Sequence, residues 1–325
     1  MISCTEFIPL YSEFFKFLEK QGGHDAVLEY WIHISDTSIG DKTNPNSLAY
    51  RCDRLGGFDG AISYWGHTLT EEACDLFEIT DRQKKLRFTH MRHCPSRGML
   101  NALKHVEPYY DYCSHCKVIY SRVLEKYGIS YIHDNSKIEN AECTSMLYET
   151  KNPPDFDFRQ LNSTNAKEFF DENSQIVDMK TEDNKYLHRD FHLLGDNALQ
   201  YCANKYGKDA VKEFLSNFTK YYYKPIIEKI KKLGLAFIKE WIENVYSIEE
   251  ASEYLQTELS QNSLTVKVLK SPVIEYMHSL NKKPSEYYVE QTRTLYSVIA
   301  SESGYNFTLN YYNEDGGTEF VFSCK

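Results

Sequence analysis

The sequence predicts an α+β protein built as an internal duplication: two pseudo-equivalent lobes, each a helical bundle followed by a small antiparallel sheet. Amphipathic helical stretches precede short alternating strands, and this order occurs twice. Matching residues also recur along the chain. Gly23–Tyr30 matches Gly207–Phe214 at an offset of 184 residues, and Tyr120-Ser121 matches Tyr296-Ser297 at an offset of 176. Offsets that drift in one direction are expected of two copies with small deletions. Two unrelated α+β domains with similar turns are the alternative.

The helices of the second lobe are predicted from apolar residues at three- and four-residue spacing, over Asp196–Tyr206 and Asp209–Lys232. Pro225 should kink or split the longer stretch, because proline interrupts the hydrogen bonds inside a helix. Gly207 and Gly234 stand where helix ends are expected.

Each lobe then continues with a strand, a helix and two closing strands. Alternation predicts the first strand over Leu86–Met91 in one lobe and Leu264–Leu269 in the other, ended by Pro95 and Pro272. The helices are predicted over Pro108–Tyr127 and Pro284–Ser303. The closing strands are expected over Ile129–His133, Glu142–Tyr148, Asn306–Tyr311 and Thr318–Ser323, the last two joined by a turn at Asn313–Gly317.

These patterns predict three regions: a cysteine-rich lobe over residues 1–148, an acidic linker or surface excursion over 149–185, and a second, degenerate repeat lobe over 186–325. The middle region contains Asn152-Pro153-Pro154, many acids and few aliphatic residues. It also carries Phe156, Phe158 and Phe169-Phe170, so part of it should dock on a lobe.

Composition narrows the possible functions. The 325 residues are 42% hydrophobic and 26% charged, which is typical of a folded chain, and the net charge of −10 argues against nucleic-acid binding. No run of 18 apolar residues and no signal-peptide pattern is present, so we expect no membrane partner and a cytoplasmic location. The nine cysteines are an odd number, which fits reduced thiols better than a disulfide framework.

Four cysteines concentrate in the first lobe: Cys94, Cys113, Cys116 and Cys143. Three interpretations stay open. The four thiolates hold zinc, although the spacing lacks the second close pair typical of structural zinc sites. Alternatively, one cysteine is a nucleophile activated by a nearby base, and His93 and His133 are the first candidates. The third interpretation is that the thiols are small buried hydrophobic groups.

Aromatic rings beside imidazoles are typical of a ligand pocket. Trp31 and His33 form one such pair, Trp65 and His67 form another, and Tyr112 precedes the CxxC sequence. These five residues are therefore candidates for substrate binding. An aromatic-rich core that contains hydrogen-bonded histidines is the alternative.

The residues from about Arg92 to Tyr148 resemble the L-2-amino-thiazoline-4-carboxylic acid hydrolase-like family. The resemblance lies in His93-Cys94-Pro95, Asp111–Cys116, Gly128 and Ala141-Glu142-Cys143. Cys116 departs from the pattern, which has an acidic residue there. The resemblance implies hydrolytic opening of a small cyclic C–N substrate. The cysteine cluster also loosely resembles the 4-vinyl reductase-like small-molecule-binding domains, which bind a ligand or metal without catalysis.

Two functions are therefore predicted. The first is a hydrolase that acts on a thiazoline- or amide-like ring in a cysteine-lined pocket. The second is a non-catalytic module that binds a small molecule or zinc. The cofactor is either none or zinc, the partner is a small molecule, and a homodimer is possible on sequence grounds.

Overall fold

The computed structural model describes residues 2–325, and in them the chain is α+β, as predicted, with eleven α-helices and two antiparallel sheets. The chain divides into a unit of residues 18–188 and a unit that combines residues 2–17 with 189–325. None of the helices in residues 2–325 combines the length and the apolar character needed to cross a bilayer.

This division differs from the predicted regions at two places. Residues 149–188 belong to the same unit as the cysteines, because part of this segment forms an edge strand of the sheet there. Residues 2–17 belong with the later part of the chain. The amide of Cys4 donates to Glu249 Oε1 at 2.6 Å, and the ring of Phe7 stacks on Phe191 with centroids 4.6 Å apart.

The first helix kinks at Gly22-Gly23, where Gly23 has a left-handed φ of 70°. A π-helical turn over Ser35–Ile39 extends it. The helices up to the end of the cysteine-bearing unit are α1 (Phe7–Ile34), α2 (Leu48–Leu55), α3 (Gly57–Glu71), α4 (Pro95–Ala102) and α5 (Ser114–Leu124).

The sheet of this unit is antiparallel throughout, with strand order β3-β4-β2-β1-β5. Its strands are β1 (Asp75–Asp81), β2 (Leu86–His93), β3 (Ile129–Lys137), β4 (Glu142–Glu149) and β5 (Gln175–Met179). The sequence prediction missed β1 and β5. Residues opposite each other in the ladder share a face. We call the face that carries Arg87, Thr89, Met91, Tyr131, His133, Cys143 and Ser145 the inner face.

The opposite face of the sheet is covered by the segment after β4. Phe77, Phe88 and Met146 form one buried cluster with Phe158 and Phe170. The predicted docking of this segment is therefore confirmed. The apolar cluster therefore covers the face opposite to Cys143 and His133.

The second unit contains six further helices and four strands. They are α6 (Asp190–Tyr206), α7 (Lys208–Tyr222), α8 (Lys224–Leu233), α9 (Leu235–Ile248), β6 (Leu255–Leu259), β7 (Ser263–Val268), α10 (Pro272–Ser279), α11 (Glu290–Ser303), β8 (Tyr305–Tyr312) and β9 (Thr318–Cys324). The predicted break before Pro225 is confirmed, since a new helix begins there. Gly207 and Gly234 end helices with φ of 90° and 73°, as predicted.

The strand order β8-β9-β7-β6 of this second sheet corresponds to β3-β4-β2-β1 of the first. In both units a helix with proline in its first turn follows the second strand, and a second helix leads into the closing hairpin. This correspondence is one of topology. The internal duplication itself stays a prediction.

The predicted helix over Pro108–Tyr127 is wrong at its start. Residues 108–109 have no regular structure, residues 110–113 form turns, and α5 begins at Ser114. Tyr109 and Tyr112 are buried in this stretch, so packing of the two rings determines its path. The corresponding prediction in the second unit is wrong for the same reason: α11 begins at Glu290, and Tyr288 is buried before it.

Candidate functional site

The four predicted cysteines come from three different elements of the 18–188 unit. Cys94 is the N-cap of α4, and its sulfur accepts from the Arg97 amide at 3.5 Å. Cys113 is the N-cap of α5, and Cys116 lies in the first turn of that helix. Cys143 lies on β4, opposite Met91. Burial is the main cause that raises the pKa of each thiol.

The four thiols lie within electrostatic range of one another. Burial raises the pKa of Cys116 well above its usual value, and Cys113, Cys94 and Cys143 raise it further. Cys74, which the sequence interpretation did not single out, belongs to the same neighbourhood, because Cys94 and Cys143 both contribute to the raised pKa of its buried thiol. The fold therefore gathers the sulfur atoms around one region of the inner face.

Among the described residues, Cys116 is the one of these four cysteines whose sulfur contacts an imidazole. Its Sγ lies 3.6 Å from His115 Nε2. His115 Nδ1 is hydrogen-bonded to the Tyr112 carbonyl oxygen, which can only accept, so the proton of the neutral ring is on Nδ1. Nε2 then carries the lone pair and faces the thiol. Burial lowers the pKa of His115 to about 4, so the ring is neutral near pH 7.

His133 lies on the inner face, opposite Ser145, and its ring stacks on Tyr131 with centroids 6.1 Å apart. Burial, and then the neighbouring His115, lower the pKa of His133 to about 4. Two imidazoles next to the thiols are therefore proton acceptors rather than cations at neutral pH.

Several of these side chains keep accessible surface although the surrounding protein strongly desolvates them. Cys116, His133 and Cys143 are half-buried rather than buried, and burial is still the largest cause of their pKa shifts. This combination is expected of groups that line a water-accessible recess inside a fold. The helix α5 packs against β3, the strand that carries His133.

Glu72, directly after α3, is a site residue that the sequence interpretation missed. Burial raises the pKa of its carboxyl group, and Glu72 in turn raises the pKa of Cys116, so the two groups are close. Ser96, in the first turn of α4, partly opposes this rise in the pKa of Glu72. The available signal was the acidic pair Glu71-Glu72 in the sequence.

Arg97 is a second missed residue. Its Nε donates to the Ile138 carbonyl at 3.3 Å, while Nη1 is buried without a hydrogen-bond partner among the described residues. It lowers the pKa of Cys113, which burial raises to about 11. A buried guanidinium N–H without an acceptor is costly, so this group is well placed to bind an anionic oxygen.

Three of the five predicted binding residues lie near the thiols. The ring of Trp65 stacks on Tyr131 at 5.4 Å between centroids, and the Arg87 guanidinium lies 5.3 Å from its centre. The Tyr112 ring lies 4.8 Å from His115, and the buried Trp31 ring lies 6.4 Å from the same imidazole.

The remaining predicted histidines contact other groups. His33 stacks on Tyr30 at 6.3 Å, and His67 Nε2 lies 3.3 Å from Glu71 Oε1. His93 is exposed, and its ring lies against Gly98. No contact among the described residues joins His93 to a thiol, so His115 takes the place that the sequence interpretation gave to His93.

Zinc requires four thiolates about 3.8 Å apart around the ion. In the described residues of this unit, no three of the cysteine sulfur atoms lie within 4.8 Å of one another. The observed arrangement therefore does not fit a preformed zinc site, although zinc stays a prediction that metal analysis can test.

The second unit carries hydroxyl groups at the topologically corresponding positions. Ser271 is the N-cap of α10, Thr292 is the third residue of α11, and Thr318 lies opposite the end of β7. All three are buried, whereas Cys94, Cys116 and Cys143 are half-buried. The half-buried thiols are thus those of the 18–188 unit, whereas the exposed Cys324 lies at the end of β9 in the other unit.

Comparison with protein-family models, curated proteins and solved structures finds no match to this chain. The resemblances to the thiazoline hydrolase-like and 4-vinyl reductase-like families therefore remain predictions.

Proposed function

We propose that residues 18–188 form a hydrolase that opens a small cyclic C–N substrate of the thiazoline or amide class, with Cys116 as nucleophile and His115 as general base. The observation that carries the proposal is the 3.6 Å contact between Cys116 Sγ and His115 Nε2, with the ring held through Nδ1 by the Tyr112 carbonyl. A nucleophile in contact with an oriented base is the arrangement that covalent catalysis requires.

The resting pair is neutral rather than an ion pair. Burial raises the pKa of Cys116 well above its usual value and lowers that of His115 to about 4. The sulfur therefore attacks as His115 removes its proton, in the manner of a general-base-activated nucleophile. Arg97 supplies a donor for the negative charge that develops on the substrate oxygen.

Glu72 supplies the proton for the leaving nitrogen. Burial raises the pKa of its carboxyl group, which favours the protonated form, and it lies close enough to Cys116 to affect the pKa of that thiol. The ring C–N bond breaks as the nitrogen takes this proton. For an amide-type ring, whose carbonyl oxygen makes the intermediate a thioester, water then adds to the thioester carbon and returns its proton to Glu72, and the leaving sulfur takes back the proton held by His115.

The lining of the recess favours a small, flat substrate with an anionic group. Trp65, Tyr120 and Tyr131 lie within 6 Å of one another, centroid to centroid, which gives the recess an aromatic wall. Arg97 contributes the unpartnered Nη1 donor. A carboxylated five-membered ring satisfies both features.

The experiment is a turnover assay on a panel of cyclic amides and thiazolines, with and without a ring carboxylate. Cys116→Ala and His115→Gln should each lower kcat at least about 100-fold. The matched control is Cys52→Ser, because Cys52 lies in the same unit, donates to the Gly57 carbonyl and stands apart from the cluster. No turnover of any panel member by the wild-type protein, or equal turnover by Cys116→Ala, would contradict the proposal.

A non-catalytic binding module is the second candidate, and the raised pKa values favour it, since a resting protonated thiol is a weak nucleophile. Calorimetry on the same panel separates the two. Binding without turnover supports the module, and stoichiometric zinc lost in Cys113→Ser supports a metal-binding form of it. As part of this proposal we place the protein in the cytoplasm, where its thiols stay reduced. Sedimentation tests the expected homodimer.

A further inference from the structure

The start of α5 carries two cysteines in the sequence Cys113-Ser114-His115-Cys116. Cys113 is the N-cap and has helical backbone angles, with φ of −72° and ψ of −19°. Cys116 is the third residue of an eleven-residue helix. Side chains three residues apart in a helix lie on one face, with Cβ atoms about 5–6 Å apart. Modest side-chain adjustment brings such a pair to disulfide geometry.

We propose that Cys113 and Cys116 form a reversible redox pair that exchanges with disulfide-bearing partners of low molecular weight. Cys113 is the attacking thiol and Cys116 is the resolving thiol. The proposal does not depend on the hydrolase function, because its readout requires no substrate.

One contact and two electrostatic effects support these roles. The His115 Nε2 atom, 3.6 Å from Cys116 Sγ, is a base for the resolving thiol. Burial raises the pKa of Cys113 to about 11, and Arg97 opposes this rise and so favours the thiolate. Among the neighbouring thiols, Cys113 has the largest effect on the pKa of Cys116, which identifies it as the partner closest in electrostatic terms.

The exchange balances without another reactant. The Cys113 thiolate attacks one sulfur of the partner disulfide, the S–S bond breaks, and the leaving thiolate takes the proton released by Cys113. Cys116 then gives its proton to His115 and attacks the Cys113 sulfur of the mixed disulfide. The second partner thiolate leaves and takes that proton from His115. One partner disulfide becomes two thiols, and the protein dithiol becomes a disulfide.

The chain offers a direct assay by trypsin and mass spectrometry. Residues 105–117 lie between Lys104 and Lys117 and contain Cys113 and Cys116 but no other cysteine. Cys94 falls in the fragment 93–97, and Cys143 falls in the fragment 138–151. A Cys113–Cys116 disulfide leaves 105–117 a single peptide that has lost two hydrogens and resists alkylation, whereas any other pairing joins two fragments.

The native protein is incubated in glutathione buffers of increasing disulfide content, quenched with acid, alkylated under denaturing conditions and digested. The expected result is the internal disulfide in 105–117, formed at a disulfide-to-thiol ratio at least about tenfold lower than in the urea-unfolded chain, because the helix holds the thiols together. Alkylation of both cysteines throughout the series, or a cross-link to 93–97 or 138–151, would overturn the proposal.

Two variants test the assigned roles. Cys116→Ser should accumulate a glutathione adduct on Cys113, and Cys113→Ser should accumulate at least about tenfold less adduct on Cys116. Cys52→Ser should form the internal disulfide as the wild type does. Equal adducts on both single variants would contradict the division of roles. The wild-type mapping tests the pair itself even if a variant fails to fold.

Discussion

Acid should destabilise the cysteine-bearing unit through His115 and His133. Burial lowers the pKa of each ring to about 4, from the ordinary histidine value of 6.5. The unfolded chain therefore binds more protons than the folded chain between pH 6.5 and pH 4, and the stability contribution of each ring is lost as the pH falls through that range. From pH 8 to pH 5, each histidine should lower the free energy of unfolding by about 2 kcal/mol.

The assay is urea unfolding at pH 8 and pH 5, followed by tryptophan fluorescence. Trp31 and Trp65 lie in the 18–188 unit and Trp241 in the other, so a Trp241→Phe background makes the signal specific. In that background, His115→Gln and His133→Gln should each reduce the difference between the two pH values by about 2 kcal/mol. His93→Gln is the control, because its ring is exposed.

The double variant His115→Gln/His133→Gln tests whether the two imidazoles are desolvated in the folded state. It should show the smallest loss of stability between pH 8 and pH 5. If it loses as much stability on acidification as the Trp241→Phe parent, the two imidazoles are not desolvated in the folded state and the inferred recess is wrong.

Three further predictions follow from the same contacts. Glu72→Gln should lower kcat by about 100-fold with little change in KM, because it removes the proton for the leaving nitrogen; an unchanged kcat in steady-state assays would exclude Glu72 as the acid. Alkylation of Cys116 by iodoacetamide should rise about tenfold per pH unit from pH 7 to pH 9, since burial raises its pKa; a plateau near pH 7 by mass spectrometry would show a preformed thiolate. Phe88→Ala should cost about 3–5 kcal/mol in urea unfolding, because Phe88 is fully buried; a loss no larger than that of the exposed-site variant Ile176→Ala would contradict the packing of the outer face.

The sequence predicted the fold class and most strands because alternation and turn residues are local signals. It predicted the break at Pro225 for the same reason. It missed β5, since Gln175–Met179 is an edge strand whose pairing with β1 depends on a contact about 100 residues away. It also missed α4, because Pro95 suggested only the end of a strand, whereas proline in the first turn equally begins a helix.

The site was predictable in part. The concentration of cysteines in one region indicated the correct part of the chain, because composition records it directly. Glu72 and Arg97 could not be identified from the sequence, since the role of a single acidic or basic side chain depends on its burial and on the groups that face it. The sequence analysis named His93 as a candidate base, but its side chain is exposed at the end of β2 and lies against Gly98.

The helix α1 belongs to one unit up to Phe17 and to the other from Leu18. This discontinuity has a consequence for synthesis on the ribosome. The unit of residues 18–188 can assemble as soon as β5 has emerged. The ring of Phe7 packs on Phe191 and the ring of Phe14 packs on Phe214. Neither contact can form until the later part of the polypeptide has been translated. Phe7 and Phe14 thus leave the exit tunnel well before these native neighbours are available.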